Sequence, residues 1–247
     1  MISLKSEREL ERMRQAGAMV AAVLEVLRRR VAPGVATKEL DALAAEEIRS
    51  RGGQAAFLGY NGYPGTICIS LNQEVVHGIA GRRKLEEGDI VSIDIGVKYK
   101  GYYGDMAATF PVGRITPEKE NLVEVTRTAL EAGIEKACPG NRLFDISAAV
   151  QERAEAAGFS VVRDFVGHGI GTRLHEDPQV PNFGTPGTGL ELREGMVLAI
   201  EPMINLGGAE VEVLEDDWTV VTADGFPSAH FEHTVAITKN GPEILTA

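Results

Sequence analysis

The chain has 247 residues, of which 44% are hydrophobic, and its formal net charge is −11. This length and composition can bury a substantial core, whereas the acidic balance and scattered basic residues exclude the electrostatic surface of a nucleic-acid-binding protein. No stretch is apolar enough for a membrane span or a signal peptide, so we expect a cytoplasmic protein whose partner is a peptide or a small molecule.

The first two predicted helices lie near the amino terminus. Ser6 and Glu9 form a capping-box pattern, and apolar residues then recur at helical spacing until residues 33–34, a Pro-Gly pair, end the first helix. Thr37 is predicted to cap a second helix, which ends at the glycines of residues 52–53.

Two more helices and several strands follow. Thr116, followed by a proline, opens a third helix that closes near residues 139–140, and a fourth runs over about residues 141–158. Hydrophobic runs predict strands over residues 66–70, 89–95, 107–110, 196–200 and 234–238. Because helices alternate with strands and no linker interrupts them, we expect an α/β or α+β fold in a single catalytic domain over residues 1–247.

The two halves of the chain resemble each other. Residues 85–94 align with residues 192–201, and the alignment places Asp94 on Glu201, each at the end of a hydrophobic strand. A single match of this length can arise by chance, and each carboxylate alone could equally serve a turn or an ion pair. The repeat therefore needs support from other positions.

Two further matches occur in the same order along the chain. Upstream, His77 falls on His168, and downstream Asp105 and Glu232 each precede an apolar run that contains a threonine. Three ordered matches favour two related units joined by a pseudo-two-fold axis, each supplying a histidine and two carboxylates.

Such an axis would bring four carboxylates together at one site. A carboxylate at the end of a buried strand is strongly desolvated unless it is paired or bound to a metal ion. Mostly oxygen donors with one imidazole suit two neighbouring divalent cations, such as Mn, Fe, Co or Zn, better than one structural zinc. Two such cations can polarise a carbonyl and activate water, so the pattern predicts a hydrolase.

The residues around these positions resemble those of the type I, bacterial methionine aminopeptidases. The resemblance runs from the first helix to residues 241–245 and rests on the motifs GYNGYP (59–64), CISLNQEVVHGI (68–79), DIVSIDIG (89–96), GD (104–105), GHGIG (167–171), LHEDP (174–178), IEPM (200–203) and FEHT (231–234). It implies the pita-bread fold, in which two pseudo-two-fold-related halves surround a central antiparallel sheet with helices outside. It also implies metal-dependent removal of the initiator methionine, with a preference for a small second residue.

The resemblance assigns roles residue by residue. It implies two divalent cations, Co, Mn, Fe or Zn, on the ligands Asp94, Asp105, His168, Glu201 and Glu232, of which Asp105 and Glu232 bridge. Glu201 would also be the general base, His175 would hydrogen-bond the substrate carbonyl oxygen, and His77 would contact the scissile peptide nitrogen. The implied methionine pocket consists of Phe57, Tyr60, Tyr63, Cys68, Leu174 and Trp218. Leu174 departs from the enterobacterial pattern, which has an aromatic residue there.

Two alternatives share this fold. An X-Pro aminopeptidase or dipeptidase has the same five ligands but usually carries an additional N-terminal domain, whereas this catalytic pattern begins almost at once. A peptide-binding or protein-binding relative that lost catalysis would lack ligands. The methionine aminopeptidase resemblance further implies a monomer that acts on peptide and nascent-chain N-termini, with a transient ribosome encounter and neither nucleic-acid specificity nor membrane attachment.

Overall fold

The computed structural model describes residues 2–247. Its helices are α1 (Glu7–Arg28), α2 (Thr37–Ser50), α3 (Pro117–Lys136) and α4 (Leu143–Glu155), with one 3-10 turn over Tyr60–Gly62. Its strands are β1 (Gln54–Ala55), β2 (Cys68–Leu71), β3 (Glu74–Val76), β4 (Ile90–Tyr99), β5 (Tyr102–Pro111), β6 (Ser160–Val161), β7 (Gly167–Gly169), β8 (Glu176–Val180), β9 (Val197–Ile200), β10 (Met203–Asn205), β11 (Val211–Val213), β12 (Val220–Thr222), β13 (Ser228–His230), β14 (Glu232–Thr238) and β15 (Gly241–Ile244). Each predicted helix and strand overlaps one of these elements, which confirms the mixed α/β class.

Local hydrogen bonds explain where the helices begin. Ser6 and Glu9 form the predicted capping box of α1, and the Thr116 hydroxyl accepts the Lys119 N–H at the start of α3. The prediction that Thr37 caps α2 is wrong. Thr37 is the first helical residue, and its hydroxyl oxygen instead accepts the backbone N–H of Gly81 at 2.8 Å, so a tertiary contact displaces the local cap.

A nine-stranded sheet forms the centre of the molecule. Its strands lie in the order β1-β4-β5-β14-β9-β7-β8, with β2 added to β4 and β15 added to β14, and every pair is antiparallel. The central pair is β5 with β14, where Glu232 lies opposite Ala107. Strands β4 and β9 flank this pair on its two sides, so the repeated segments occupy equivalent places about the middle of the sheet.

The upstream sequence match, which aligned His77 with His168, is not a match of position in the fold. His168 lies in β7, which pairs with β9, but His77 follows β3, which belongs to a separate three-stranded sheet with β11 and β12. Strand β2, which ends at Leu71, takes the place beside β4 that β7 takes beside β9. The repeat therefore relates the carboxylate-bearing strands and does not relate the two histidines.

The helices cover the outside of the sheet. Helix α1 packs its buried face on β4 and β5, with α2 beside it, and α3 packs against α4 over the other half. At Gly17, α1 approaches the backbone of Leu245 so closely that a Cβ atom on Gly17 would lie 2.1 Å from the Leu245 carbonyl oxygen. Within residues 2–247, no helix combines the length and the apolar character that crossing a membrane requires.

Candidate active site

One cavity of about 240 Å³ collects every predicted site residue. The predicted residues that line it are Phe57, Tyr60, Tyr63, Cys68, His77, Asp94, Asp105, His168, Leu174, His175, Glu201, Trp218 and Glu232. Asn61 and Val76, which the sequence did not single out, also contribute to its wall. Residues spread over three quarters of the chain thus meet at one place because the central strands converge there.

Four neighbouring strands supply the four carboxylates. Asp94 lies in β4, Asp105 in β5 and Glu232 in β14, while Glu201 directly follows β9. Asp94, Asp105 and Glu232 are buried, and the Glu201 side chain is 13% exposed. Asp94 Oδ1 and Glu232 Oε1 have no hydrogen-bond partner in the described structure. Four adjacent acids, two of them with an unpartnered buried oxygen, are unfavourable unless a cation neutralises them, so the donor set fits a divalent metal centre.

Burial also changes how these acids ionise. Desolvation raises the pKa of Asp105 to about 7. Desolvation, followed by repulsion from Asp105, raises the pKa of Asp94, Glu201 and Glu232 well above their ordinary values. The cause is that each charged form loses water and meets like charges nearby. A bound cation would reverse both effects by favouring the ionised forms.

His168 faces this acidic cluster with one ring nitrogen. Its Nε2 lies 3.5 Å from Glu201 Oε1 and 4.0 Å from Asp105 Oδ2, and its Nδ1 lies 2.8 Å from the Gly169 carbonyl oxygen. Because a carbonyl only accepts, Nδ1 carries the proton and Nε2 keeps its lone pair for a cation. Asp105, His168 and Glu232 each offer one ligand atom, and these atoms lie within 4.8 Å of one another.

His175 lies beside His168 at the mouth of the cavity. The two imidazole centroids are 4.3 Å apart, and His175 Nδ1 lies 2.7 Å from the hydroxyl oxygen of Tyr60. The next residue, Glu176, forms a buried ion pair with Lys5 at 2.7 Å and accepts the N–H groups of Thr172 and Arg173. These bonds fix the loop that carries His175.

Aromatic rings build the opposite wall. Trp218 packs edge-on against Tyr63 at 5.1 Å and against His77 at 6.1 Å, and His77 also meets Phe165 edge-on at 5.7 Å. His77 has a φ of 61°, a left-handed conformation that is uncommon outside glycine. Strain of this kind is typical of residues that are held for function.

The remaining pocket residues make the cavity floor apolar. Phe57, Cys68 and Leu174 are buried in one hydrophobic cluster with Tyr63, whose hydroxyl donates to the Gly78 carbonyl at 2.8 Å. Burial raises the pKa of the Cys68 thiol, which keeps the sulfur protonated and unreactive. Leu174 is 2% exposed and fills its place in the wall without an aromatic ring.

His230 was not predicted as a site residue from the sequence. This residue ends β13, is 1% exposed, and its Nε2 lies 3.7 Å from Glu201 Oε2. The available signal was its place two residues before Glu232, but His230 falls just outside the FEHT motif and the repeat contains no counterpart for it. The structure thus adds a second imidazole, besides His168, next to the carboxylates.

Comparisons with known proteins agree with this geometry. The model of metallopeptidase family M24 matches residues 11–239. A protein from Clostridium perfringens named methionine aminopeptidase is 55% identical over 246 residues, which cover 100% of this chain and 99% of that protein. The crystal structure of a methionine aminopeptidase from Thermotoga maritima has a TM-score of 0.98 and 50% identity, covering 100% of this chain and 99% of that one.

A more distant likeness concerns the fold. A prolidase from Pyrococcus furiosus has a TM-score of 0.80 at 24% identity, covering 99% of this chain and 65% of that one. This similarity extends to the architecture alone. Together with the likeness to the Thermotoga maritima structure, it confirms the predicted pita-bread fold.

Proposed function

The chain belongs to metallopeptidase family M24, and on that premise we propose that it is a methionine aminopeptidase, which hydrolyses the first peptide bond of polypeptides that begin with methionine. The observation that carries the proposal is the full-length similarity to methionine aminopeptidases. The cavity supports it, because four carboxylates and His168 adjoin an apolar pocket of side-chain size.

Two divalent cations, Co, Mn, Fe or Zn, are the proposed cofactors. The residues that would hold them are Asp94, Asp105, His168, Glu201 and Glu232, of which Asp105, His168 and Glu232 offer ligand atoms within 4.8 Å of one another. When bound, the cations supply Lewis acidity toward the substrate carbonyl and a nucleophilic water at neutral pH. The unpartnered oxygens of Asp94 and Glu232 support this assignment.

The protein side chains supply the proton transfers and the alignment. Glu201 takes the proton of the attacking water as general base. We assign the Tyr60 hydroxyl as the hydrogen-bond donor to His175 Nδ1, so that the imidazole N–H is at Nε2 and can donate to the substrate carbonyl oxygen as negative charge develops there. His77, on the aromatic wall, contacts the nitrogen of the scissile bond.

The pocket binds the methionine side chain. An unbranched, polarisable thioether suits a slot lined by Phe57, Leu174 and Cys68 and closed by the rings of Tyr63 and Trp218. Discrimination against a similar apolar residue is finite, because one methylene in such a pocket corresponds to only about 1 to 3 kcal/mol. A small second residue is the expected preference of the enzyme.

The cellular setting follows from the same proposal. Nascent polypeptides are the natural source of N-terminal methionine, so the enzyme acts in the cytoplasm, as a monomer, and meets the ribosome transiently. The net charge of −11 supports the expectation that nucleic acid is not a partner. Light scattering on the purified protein tests the monomer.

Initial rates on three peptides test the proposed activity. Protein stripped by a chelator is titrated with Mn, Co, Fe and Zn and assayed on Met-Ala-Ser, Leu-Ala-Ser and Ala-Pro-Ala, with Glu201→Ala as the inactive control. We expect metal-restored hydrolysis of the methionine peptide, which the control lacks. Preference for Ala-Pro-Ala would instead favour an X-Pro aminopeptidase, and inactivity with every metal and peptide would favour a binding protein.

A further inference from the structure

His230 lies deeper in the site than any predicted ligand. Its backbone is fixed by two hydrogen bonds with Thr109: the His230 N–H donates to Thr109 Oγ1, and that hydroxyl donates to the His230 carbonyl, both at 2.9 Å. The side chain is 1% exposed, and Nε2 has no hydrogen-bond partner in the described structure. A buried polar atom without a partner costs about 1 to 3 kcal/mol, so its retention calls for a ligand.

The carboxylate of Glu201 lies between two imidazoles. One oxygen, Oε1, is 3.5 Å from His168 Nε2, and the other, Oε2, is 3.7 Å from His230 Nε2. The second distance is too long for a hydrogen bond. It matches two ligand atoms on one cation at an angle of roughly 120°, given metal–ligand bonds of about 2.1 Å.

A second acid completes the group. Glu201, His230 and Glu232 each offer one ligand atom, and these atoms lie within 4.8 Å of one another. Glu232 also belongs to the cluster with Asp105 and His168, so the two clusters adjoin through a shared carboxylate. Nothing in the family resemblance assigns His230 a role, and the five proposed ligands leave its Nε2 unpartnered.

We propose that His230 is a sixth donor of the metal centre and ligates, through Nε2, the cation that Glu201 holds. This inference rests on the proposed function, because it requires the metal centre. A second imidazole makes the oxygen-rich site softer, and nitrogen donors suit Co, Fe and Zn better than Mn. The centre of this protein thus discriminates against Mn more than five ligands alone would.

Paramagnetic NMR of the Co(II)-loaded protein tests ligation directly. A histidine that ligates through Nε2 shows its ring N–H as a strongly shifted, exchangeable proton signal. We expect two such signals in the unmodified protein. His168→Gln removes one and His230→Gln removes the other, whereas His233→Gln removes neither, because the His233 ring faces Thr246 at 2.9 Å. A single signal in the unmodified protein overturns the inference even if the His230 variant fails to fold.

Chelator competition measures the energetic consequence. We expect His230→Gln to weaken Co and Zn binding by tenfold or more, on the order of the 10 to 100-fold that even outer ligand partners contribute, and to weaken Mn binding less. Unchanged Co affinity in His230→Gln overturns the inference, while metal-dependent cleavage of Met-Ala-Ser by the unmodified protein still upholds the proposed function. Failure of the unmodified protein to bind any divalent cation overturns both.

Discussion

At the scale of single residues, burial determines which imidazoles of the cavity are neutral. Desolvation lowers the pKa of His77 to about 4 and that of His168 to about 3, and it also lowers the pKa of His175. All three rings are therefore uncharged near neutral pH. A neutral ring can keep a lone pair for a cation on one nitrogen or present a single N–H to a substrate, and the proposed mechanism uses both properties.

The Tyr60 and His175 pair provides the first prediction. Replacing His175 by Asn removes the donor to the developing oxyanion, and we expect kcat to fall by roughly 10²- to 10³-fold with little change in KM. Tyr60→Phe should cause a smaller fall, because the ring remains but the bond that orients His175 is lost. Steady-state rates on a Met-Ala peptide measure both effects.

Tyr103→Phe is the matched control for that prediction. The Tyr103 ring packs under Lys98 and lies outside the cavity lining, so the kcat and KM of Tyr103→Phe should equal those of the unmodified enzyme. A Tyr60→Phe variant with wild-type kcat would contradict the proposed orienting bond.

Most individual residues of the candidate site could be predicted from the sequence, because residue types suited to catalysis occur there in specific motifs. Asp94, for instance, is a charge within a mostly apolar run of sequence, which has few explanations other than a partner ion. His230 was not predictable in the same way. A histidine flanked by Ala229 and Phe231 resembles an ordinary core residue until its distance from Glu201 is known.

At the scale of elements, the segment before α1 controls the loop that carries His175. Lys5 and Glu176 form their ion pair with side-chain exposures of only 3% and 7%. Because Glu176 also binds the backbone of Thr172 and Arg173, this pair joins the amino-terminal segment to the active-site loop.

Lys5→Met should therefore affect both stability and rate. Removing one partner of a buried pair leaves an uncompensated charge, and we expect a loss of about 3 to 5 kcal/mol in the free energy of unfolding, with a lower kcat as the loop loosens. Arg14→Met is the control, since the side chains of its pair with Glu243 are 30% and 36% exposed, and such a partly exposed pair should contribute about 0 to 1 kcal/mol. Equal losses in the two variants, measured by denaturant titration, would rule out a special role for Lys5.

The contact between α1 and the sheet gives a third prediction. Alanine is ordinarily favoured over glycine inside a helix by about 1 kcal/mol. At Gly17, however, a Cβ atom would collide with the Leu245 carbonyl at 2.1 Å. We therefore expect Gly17→Ala to destabilise the protein by about 1 to 3 kcal/mol, as overpacking does.

Gly81→Ala controls for the loss of a glycine. A Cβ atom at Gly81 meets nothing within 4 Å, so this change should leave the melting temperature nearly unaltered. A melting temperature that rises in Gly17→Ala would show that α1 can move away from the sheet.

Other elements were not predictable because their residues contradict strand propensity. Strand β7 contains Gly167 and Gly169, and a Cβ atom on either would lie within 2.3 Å of a backbone oxygen on a neighbouring strand. These glycines allow neighbouring strands to approach closely. From the sequence pattern alone, glycines in such a strand cannot be distinguished from glycines in a loop. Likewise, β5 begins at Tyr102, whereas the sequence pattern predicted a start at residue 107. The predicted start was too late because Gly104 and Asp105 interrupt the apolar pattern.

At the scale of the whole molecule, the proposed metal centre joins the two halves of the chain. Asp94 and Asp105 come from one half, Glu201 and Glu232 from the other, and the pairing of β5 with β14 brings them together. The repeat predicted this convergence correctly. The two smaller sheets had no sequence signal, since their strands have only two or three residues each.

Cation removal should destabilise the protein in a pH-dependent manner. The raised pKa of Asp105, about 7, means that its stabilising contribution is complete below its unfolded pKa near 3.8 and disappears as the pH rises through 7. The stripped protein is therefore weakest at high pH, where the cation also binds most tightly. The increase in melting temperature on adding metal should be larger at about pH 8 than at about pH 5.5.

The size of that increase can be anticipated. At about pH 8, free cation at about 100 times the Kd at that pH adds about 2.7 kcal/mol, which corresponds to roughly 5 to 10 °C for a chain of this size. The same free cation concentration at about pH 5.5 is a smaller multiple of the weaker Kd there, so it adds less. Calorimetry with and without chelator measures this increase in melting temperature. His77 is not a proposed ligand, so its own contribution to the melting temperature should be equal in the metal-loaded and the stripped protein. An equal increase at both pH values would contradict the proposed role of the buried carboxylates.

The most direct measurement is the mass of an intact protein substrate that begins Met-Ala, before and after incubation with the metal-loaded enzyme. We predict the loss of one methionine residue and no further trimming, with no change when the enzyme is stripped of metal or carries Glu201→Ala. A substrate whose mass stays constant with the loaded enzyme, or that loses residues beyond the first, would contradict the assignment as a methionine aminopeptidase.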